Sequence, residues 1–135
     1  MKYIFIIFIS MITINGYGNE DEQVKAHIAN DFAECSAYYR ILSKGKTGNI
    51  KKFNKAGEQC YAYAVELSNV ADTEARVELS IKDQLKLIHN DYSNSSILIN
   101  KYDAFCEALL ARRTWKGKNT SKGFRFNYTY AARLQ

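Results

Sequence analysis

The sequence predicts an all-α fold, a small bundle of about four helices in antiparallel hairpins, followed by a basic, aromatic C-terminal segment. Three observations carry that reading. The 135 residues contain no Pro and only 7 Gly, so few positions disfavour a helix. Apolar side chains recur at alternating spacings of four and three over four stretches, the period of a helix that buries one stripe. After Gly117 the period changes to two, which is the repeat of an extended strand.

The chain opens with an export signal. Met1 and Lys2 give a positive start, and residues 3–14 form an apolar run whose only polar members are Ser10 and Thr13. That run suits a signal-peptide core and falls short of the roughly 20 residues that cross a bilayer as a helix. Gly16 and Gly18 place small residues where a signal peptidase reads them, so cleavage is expected after Gly18. Removing residues 1–18 leaves 117 of the 135. This is one domain with a modest core, in which a covalent cross-link would matter. The expected location is the periplasm or outside the cell.

Each helix has its own signals. Residues 21–44 form the first, with an inward stripe of Val24, Ile28, Phe32, Cys35, Tyr39 and Leu42, and Gly45 and Gly48 break it. Asn49 is placed to cap a second helix over residues 50–69, with Phe53, Ala56, Cys60, Ala64 and Leu67 inward. A third starts at Asp72 or Thr73 and carries Val77, Ile81, Leu85, Ile88 and Tyr92 on one face. Residues 93–96 are a weak break, read as a turn, with one long kinked helix as the alternative. The fourth helix spans residues 96–115, with Leu98, Tyr102, Phe105 and Leu109 inward and Gly117 as its stop.

Charge divides the chain in two. Residues 19–110 hold 14 acidic and 11 basic side chains, whereas residues 111–135 hold seven basic ones and no acid. In residues 123–130, Phe124, Phe126, Tyr128 and Tyr130 fall on one side of a strand repeat and Arg125, Asn127 and Thr129 on the other. The helical domain is therefore set at residues 19–115 and the basic aromatic segment at 116–135.

Three cysteines in an exported chain imply one disulfide and one thiol left over. Chain entropy gives about 4 kcal/mol for closing Cys35 to Cys106 and about 3 to 4 for Cys35 to Cys60. That gap does not choose between them. The run Glu34-Cys35-Ser36-Ala37-Tyr38-Tyr39, taken with Tyr102-Asp103-Ala104-Phe105-Cys106, resembles small exported helical proteins of bacteria and their phages whose function is unassigned. The resemblance covers about a dozen residues and implies the pairing Cys35 to Cys106. It brings no activity with it.

Most catalytic chemistries find no footing. Zinc is not expected, because no pair among the cysteines, His27 and His89 has the short spacing of a structural zinc motif. Gly45-Lys46-Thr47 lacks the earlier Gly of a phosphate loop, since Arg40 stands there, and reads as a turn. The carboxylates Asp31 with Glu34, and Asp103 with Glu107, read as ordinary helix acids. No catalytic residue and no cofactor is expected.

A contact surface is the better expectation. Tyr38 and Tyr39 point to different sides of one helix, so at most one is expected in the core, and Tyr38 is the candidate exposed aromatic. The other candidates are Arg112, Arg113, Trp115, Lys116, Lys122, Phe124, Arg125, Phe126, Tyr128 and Tyr130. An exported chain rarely meets nucleic acid, so the counterpart is expected to be an envelope protein, or else anionic lipid or cell-wall polymer.

Overall fold

A computed structural model describes residues 19–45 and 48–117, with side chains described from 21 to 45 and from 48 to 113. These residues form helix α1 (Asn19–Lys44), α2 (Ile50–Leu67), α3 (Val70–Leu87), a 3-10 turn (Tyr92–Asn94) and α4 (Ser96–Gly117). The all-α bundle is as the sequence predicts. The expected signal peptide and the segment after Gly117 lie outside the described residues. Side-chain pairs fix the directions of the helices. Phe32 meets Tyr63 and Tyr39 meets Phe53, so α2 runs antiparallel to α1. Arg76 reaches the Ala26 carbonyl and Gln84 the Glu34 carbonyl, so α3 runs parallel to α1. Cys35 meets Cys106 and Tyr38 meets Asp103, so α4 is antiparallel again.

α1 is the axis of the bundle. Instead of the single stripe expected from its sequence, most side chains from Ile28 to Leu42 are buried, with Glu34 and Arg40 intermediate and Asn30 exposed. A helix is buried all round only when neighbours cover all its sides, and here α2, α3 and α4 do so. Val24, expected inward, is 42% exposed because it lies ahead of that covered stretch.

The neighbours approach α1 in two different ways. α2 comes close through small residues, and Ser36 Oγ donates to the Gly57 carbonyl oxygen at 3.0 Å with both residues buried. A Cβ on Gly57 would lie 3.4 Å from Tyr39 Cβ and 3.6 Å from the Ser36 carbonyl oxygen. α4 meets α1 through aromatic rings and a covalent bond. Tyr38 and Tyr102 stand between the two helices with centroids 5.8 Å apart. The disulfide Cys35–Cys106 brings the two helices to a Cα–Cα distance of 5.5 Å and spans a sequence separation of 71, which on the chain-entropy model is worth about 4 to 5 kcal/mol.

The helix boundaries differ from expectation at α3. It starts at Val70 because Asn69 is the cap, its side chain accepting from the Asp72 amide at 2.9 Å. Only Ser68 and Asn69 therefore join α2 to α3. Thr73, an expected cap, is fully buried and shares a 3.0 Å hydrogen bond with Ser68 Oγ. α3 ends at Leu87 and stops short of Tyr92. His89 and Asn90 have φ of 54° and 57°, and the Asn90 amide donates to the Leu85 carbonyl while that of His89 donates to Lys86. That pair of bonds is the left-handed helix stop usually made by Gly. Tyr92, expected inward, is consequently 36% exposed. The turn expected at 93–96 thus begins earlier and excludes one long helix. Asn49 caps α2 as expected, accepting from the Lys52 amide at 3.2 Å.

The tight α1–α2 contact gives a graded prediction. Gly57→Ala places its methyl at ordinary contact distance and removes a helical Gly, so it should be neutral or stabilising by up to about 1 kcal/mol. Gly57→Leu must separate the helices and should cost about 1 to 3 kcal/mol. Urea melts of the two variants check the contrast.

Candidate functional site

The densest polar chemistry lies along the α1–α4 seam beside the disulfide. Tyr38 projects from α1 and its hydroxyl donates to Asp103 Oδ1 on α4 at 2.8 Å. Tyr39 packs on Tyr38 with centroids 4.9 Å apart and on Phe53 at 6.3 Å. Lys101 lies over the Tyr102 ring, 5.0 Å from its centroid. Glu107, one turn beyond Asp103, pairs with Lys52 of α2 at 3.6 Å across solvent. Asp103 and Glu107 are thus each occupied by a different partner and do not form a carboxylate pair.

Both tyrosines of the pair are buried, Tyr38 fully and Tyr39 to 3% exposure. This corrects the expectation that Tyr38 offers an exposed aromatic. Two positions 100° apart can both be inside when the helix that carries them is covered on several sides. Burial is the main cause that holds both phenols protonated well above the usual tyrosine range, with the Asp103 carboxylate adding to it for Tyr38.

The remaining thiol, Cys60, is fully buried, and burial pushes it up to about 12. A nucleophilic cysteine needs the thiolate near neutral pH, so Cys60 behaves as a small apolar core residue. Among the described residues no group of three or more His, Cys, Asp and Glu could hold a metal ion. His89 is exposed just beyond the end of α3.

The expected contact residues divide into three groups. Arg112 is exposed on α4. Arg113 is taken up inside the fold: it pairs with Glu66 of α2 and lies 5.1 Å over the Tyr63 ring. It fastens the end of α4 to α2. Trp115 and Lys116 belong to the last turn of α4, and their side chains lie outside those described. Lys122, Phe124, Arg125, Phe126, Tyr128 and Tyr130 also lie outside the described residues.

Several polar residues in the core were not legible in the sequence. Gln84 is 1% exposed, and its amide donates to the Glu34 carbonyl at 3.0 Å while Oε1 has no partner among the described residues. Arg76 reaches the Ala26 carbonyl at 3.2 Å and also Asn30. Both sit on α3 at an eight-residue interval, facing α1, but surface residues at such a spacing look the same in a sequence.

Two predictions follow from this seam. Tyr38→Phe removes a charge-assisted hydrogen bond across α1 and α4 and should cost about 1.5 to 3 kcal/mol in a denaturant melt. The raised phenols also set the alkaline limit. In the unfolded chain they ionise near 10.0, whereas in the fold they stay protonated. Stability is therefore fully present below about pH 10 and falls as pH rises beyond it. A pH series of melts should show this slope, and it should be shallower in Tyr39→Phe. Cys60 should resist iodoacetamide at pH 8 in the folded oxidised chain and react fully in urea, as mass spectrometry would read. Comparison with protein-family models, curated proteins and solved structures finds no match to this chain.

Proposed function

We propose that the chain is an exported, non-enzymatic binding protein of the inhibitor, immunity or exclusion type, acting on an envelope or secreted protein. The observation that carries this reading is the outward side of α4. Ile97 is 43% exposed there, and Ala104, Ala108, Ala111 and Arg112 are exposed along the same helix, interrupted by Lys101 and Glu107. An outer helix ordinarily presents a polar face to water. Here apolar and cationic residues run together toward a segment with seven cations and no acid over residues 111–135. The partner chemistry that fits is an acidic surface with apolar contact positions.

The disulfide suits an oxidising compartment. Among the described residues no helix is long and apolar enough to cross a membrane. Export itself rests on the apolar run at residues 3–14. A second reading is favoured by the charge asymmetry alone, namely attachment of the domain to anionic lipid or cell-wall polymer through its basic end.

The test is a pull-down from an envelope extract in moderate salt, using residues 19–135 and a chain ended at Gly117. The binding reading expects one protein retained by the longer chain only, which then binds the purified domain at a fixed stoichiometry in calorimetry. Retention of lipid or polymer alone, released by added salt, selects the second reading. Equal behaviour of the two chains removes the basic segment from the contact.

A further inference from the structure

We propose that one end of the bundle, where α1 and α3 finish and α2 and α4 begin, rests on an anionic membrane surface. Exposed aliphatic side chains enter the lipid interface there and lysines meet lipid phosphates. The helix directions bring these four ends together, since Tyr39 meets Phe53, Gln84 reaches the Glu34 carbonyl and Tyr38 meets Asp103. Ile50 opens α2, Leu87 closes α3, Tyr92 lies in the 3-10 turn that follows, and Ile97 and Ile99 lie in the first turn of α4. Each of these side chains is at least 36% exposed. Apolar side chains gathered from separate elements at one exposed end mark a contact region.

The charge at this end selects the occupant. Lys44 ends α1, and Lys51 and Lys55 stand in the first turns of α2. All three are exposed and belong to none of the ion pairs among the described residues. The acids of the same region are already engaged. Asp83 pairs with Lys86, Asp91 accepts from the Ser93 amide at 2.9 Å, Asp103 accepts from Tyr38, and Glu107 pairs with Lys52. At the opposite end Val24 and Val70 are exposed as well, but their turns carry Asp21, Glu22, Asp72 and Glu74. An anionic lipid surface therefore attracts one end of the bundle and repels the other. Aliphatic tips beside lysines suit the headgroup boundary, whereas stacking on nucleic-acid bases needs aromatic faces, and Tyr92 is the one exposed aromatic among the described residues at this end. This surface goes beyond the protein-binding reading and does not rest on it. Ile97 is the residue it shares with the outward side of α4, which starts at this end and runs away from it to Gly117.

The test uses residues 19–135 with vesicles of phosphatidylcholine, alone or mixed with phosphatidylglycerol, read by sedimentation and by lysine acetylation mapped with mass spectrometry. Binding is expected only where phosphatidylglycerol is present, with Lys51 and Lys55 shielded from acetylation on the vesicles and Lys25 and Lys82 not. Lys51→Glu/Lys55→Glu should weaken binding at least about tenfold, and Ile50→Ser/Ile97→Ser by a similar factor. All four positions are exposed, so both variants should keep the parent's thermal melt. Absence of binding to either vesicle overturns the proposal, as does unchanged binding of the charge-reversed variant. Shielding confined to lysines after Gly117 overturns it too, because the contact then lies elsewhere in the chain. Equal competition by inorganic phosphate would reduce the site to one for a small anion and overturn the membrane contact. No protein partner is present in these samples, so failure here leaves the protein-binding reading standing, and loss of that reading leaves this result unchanged.

Discussion

Burial of α1 on nearly all its sides is the constraint on which the rest of this structure depends. The buried faces of such a helix must each meet a neighbour of matching shape. Gly57 lets α2 come to backbone contact on one side. On another, Arg76 and Gln84 of α3 supply polar groups that bind α1 carbonyls along the helix. Tyr38, Tyr39 and Tyr102 pack together on the third side, where α4 is joined by the disulfide.

The tyrosine seam and the disulfide solve one problem between them. Large rings bury much apolar surface, and each phenol needs a polar partner if it is to be buried without loss. Asp103 supplies that partner for Tyr38. The acid pairs visible in the sequence thereby become structural: one carboxylate accepts from a core phenol and its neighbour pairs with Lys52 on the surface. Similarly, Arg113 is spent on Glu66 and Tyr63, so a basic C-terminal region is not uniformly available to a partner.

Much of the fold could be read in advance from particular residues. The cap at Asn49, the inward Cys60, Ala64, Val77, Leu98 and Leu109, and a link between Cys35 and Cys106 are all present as expected. These depend on local spacing or on a covalent bond. The errors fell where distant chain decides: Asn69 rather than Asp72 or Thr73 caps α3, because Thr73 is drawn into the core beside Ser68. The left-handed stop at His89 and Asn90 has no Gly to announce it. The proposed contact surface shows in the sequence as a charge pattern only. Its one well-exposed described cation among those expected is Arg112.

By itself the sequence determined the helical class, the approximate elements, the uneven charge and the arithmetic of one disulfide with one spare thiol. It could do so because period, capping residues and cysteine count act within a few turns of chain. Only the tertiary structure decided that α1 is central, that Tyr38 and Tyr39 are both buried, that Arg113 reaches across to Glu66 and Tyr63, and that Gln84 and Arg76 hold α3 to α1. The physical reason is that burial on several sides is a property of packing. A helix covered by one neighbour and a helix covered by three can share the same apolar period, and only the positions of the other helices distinguish them.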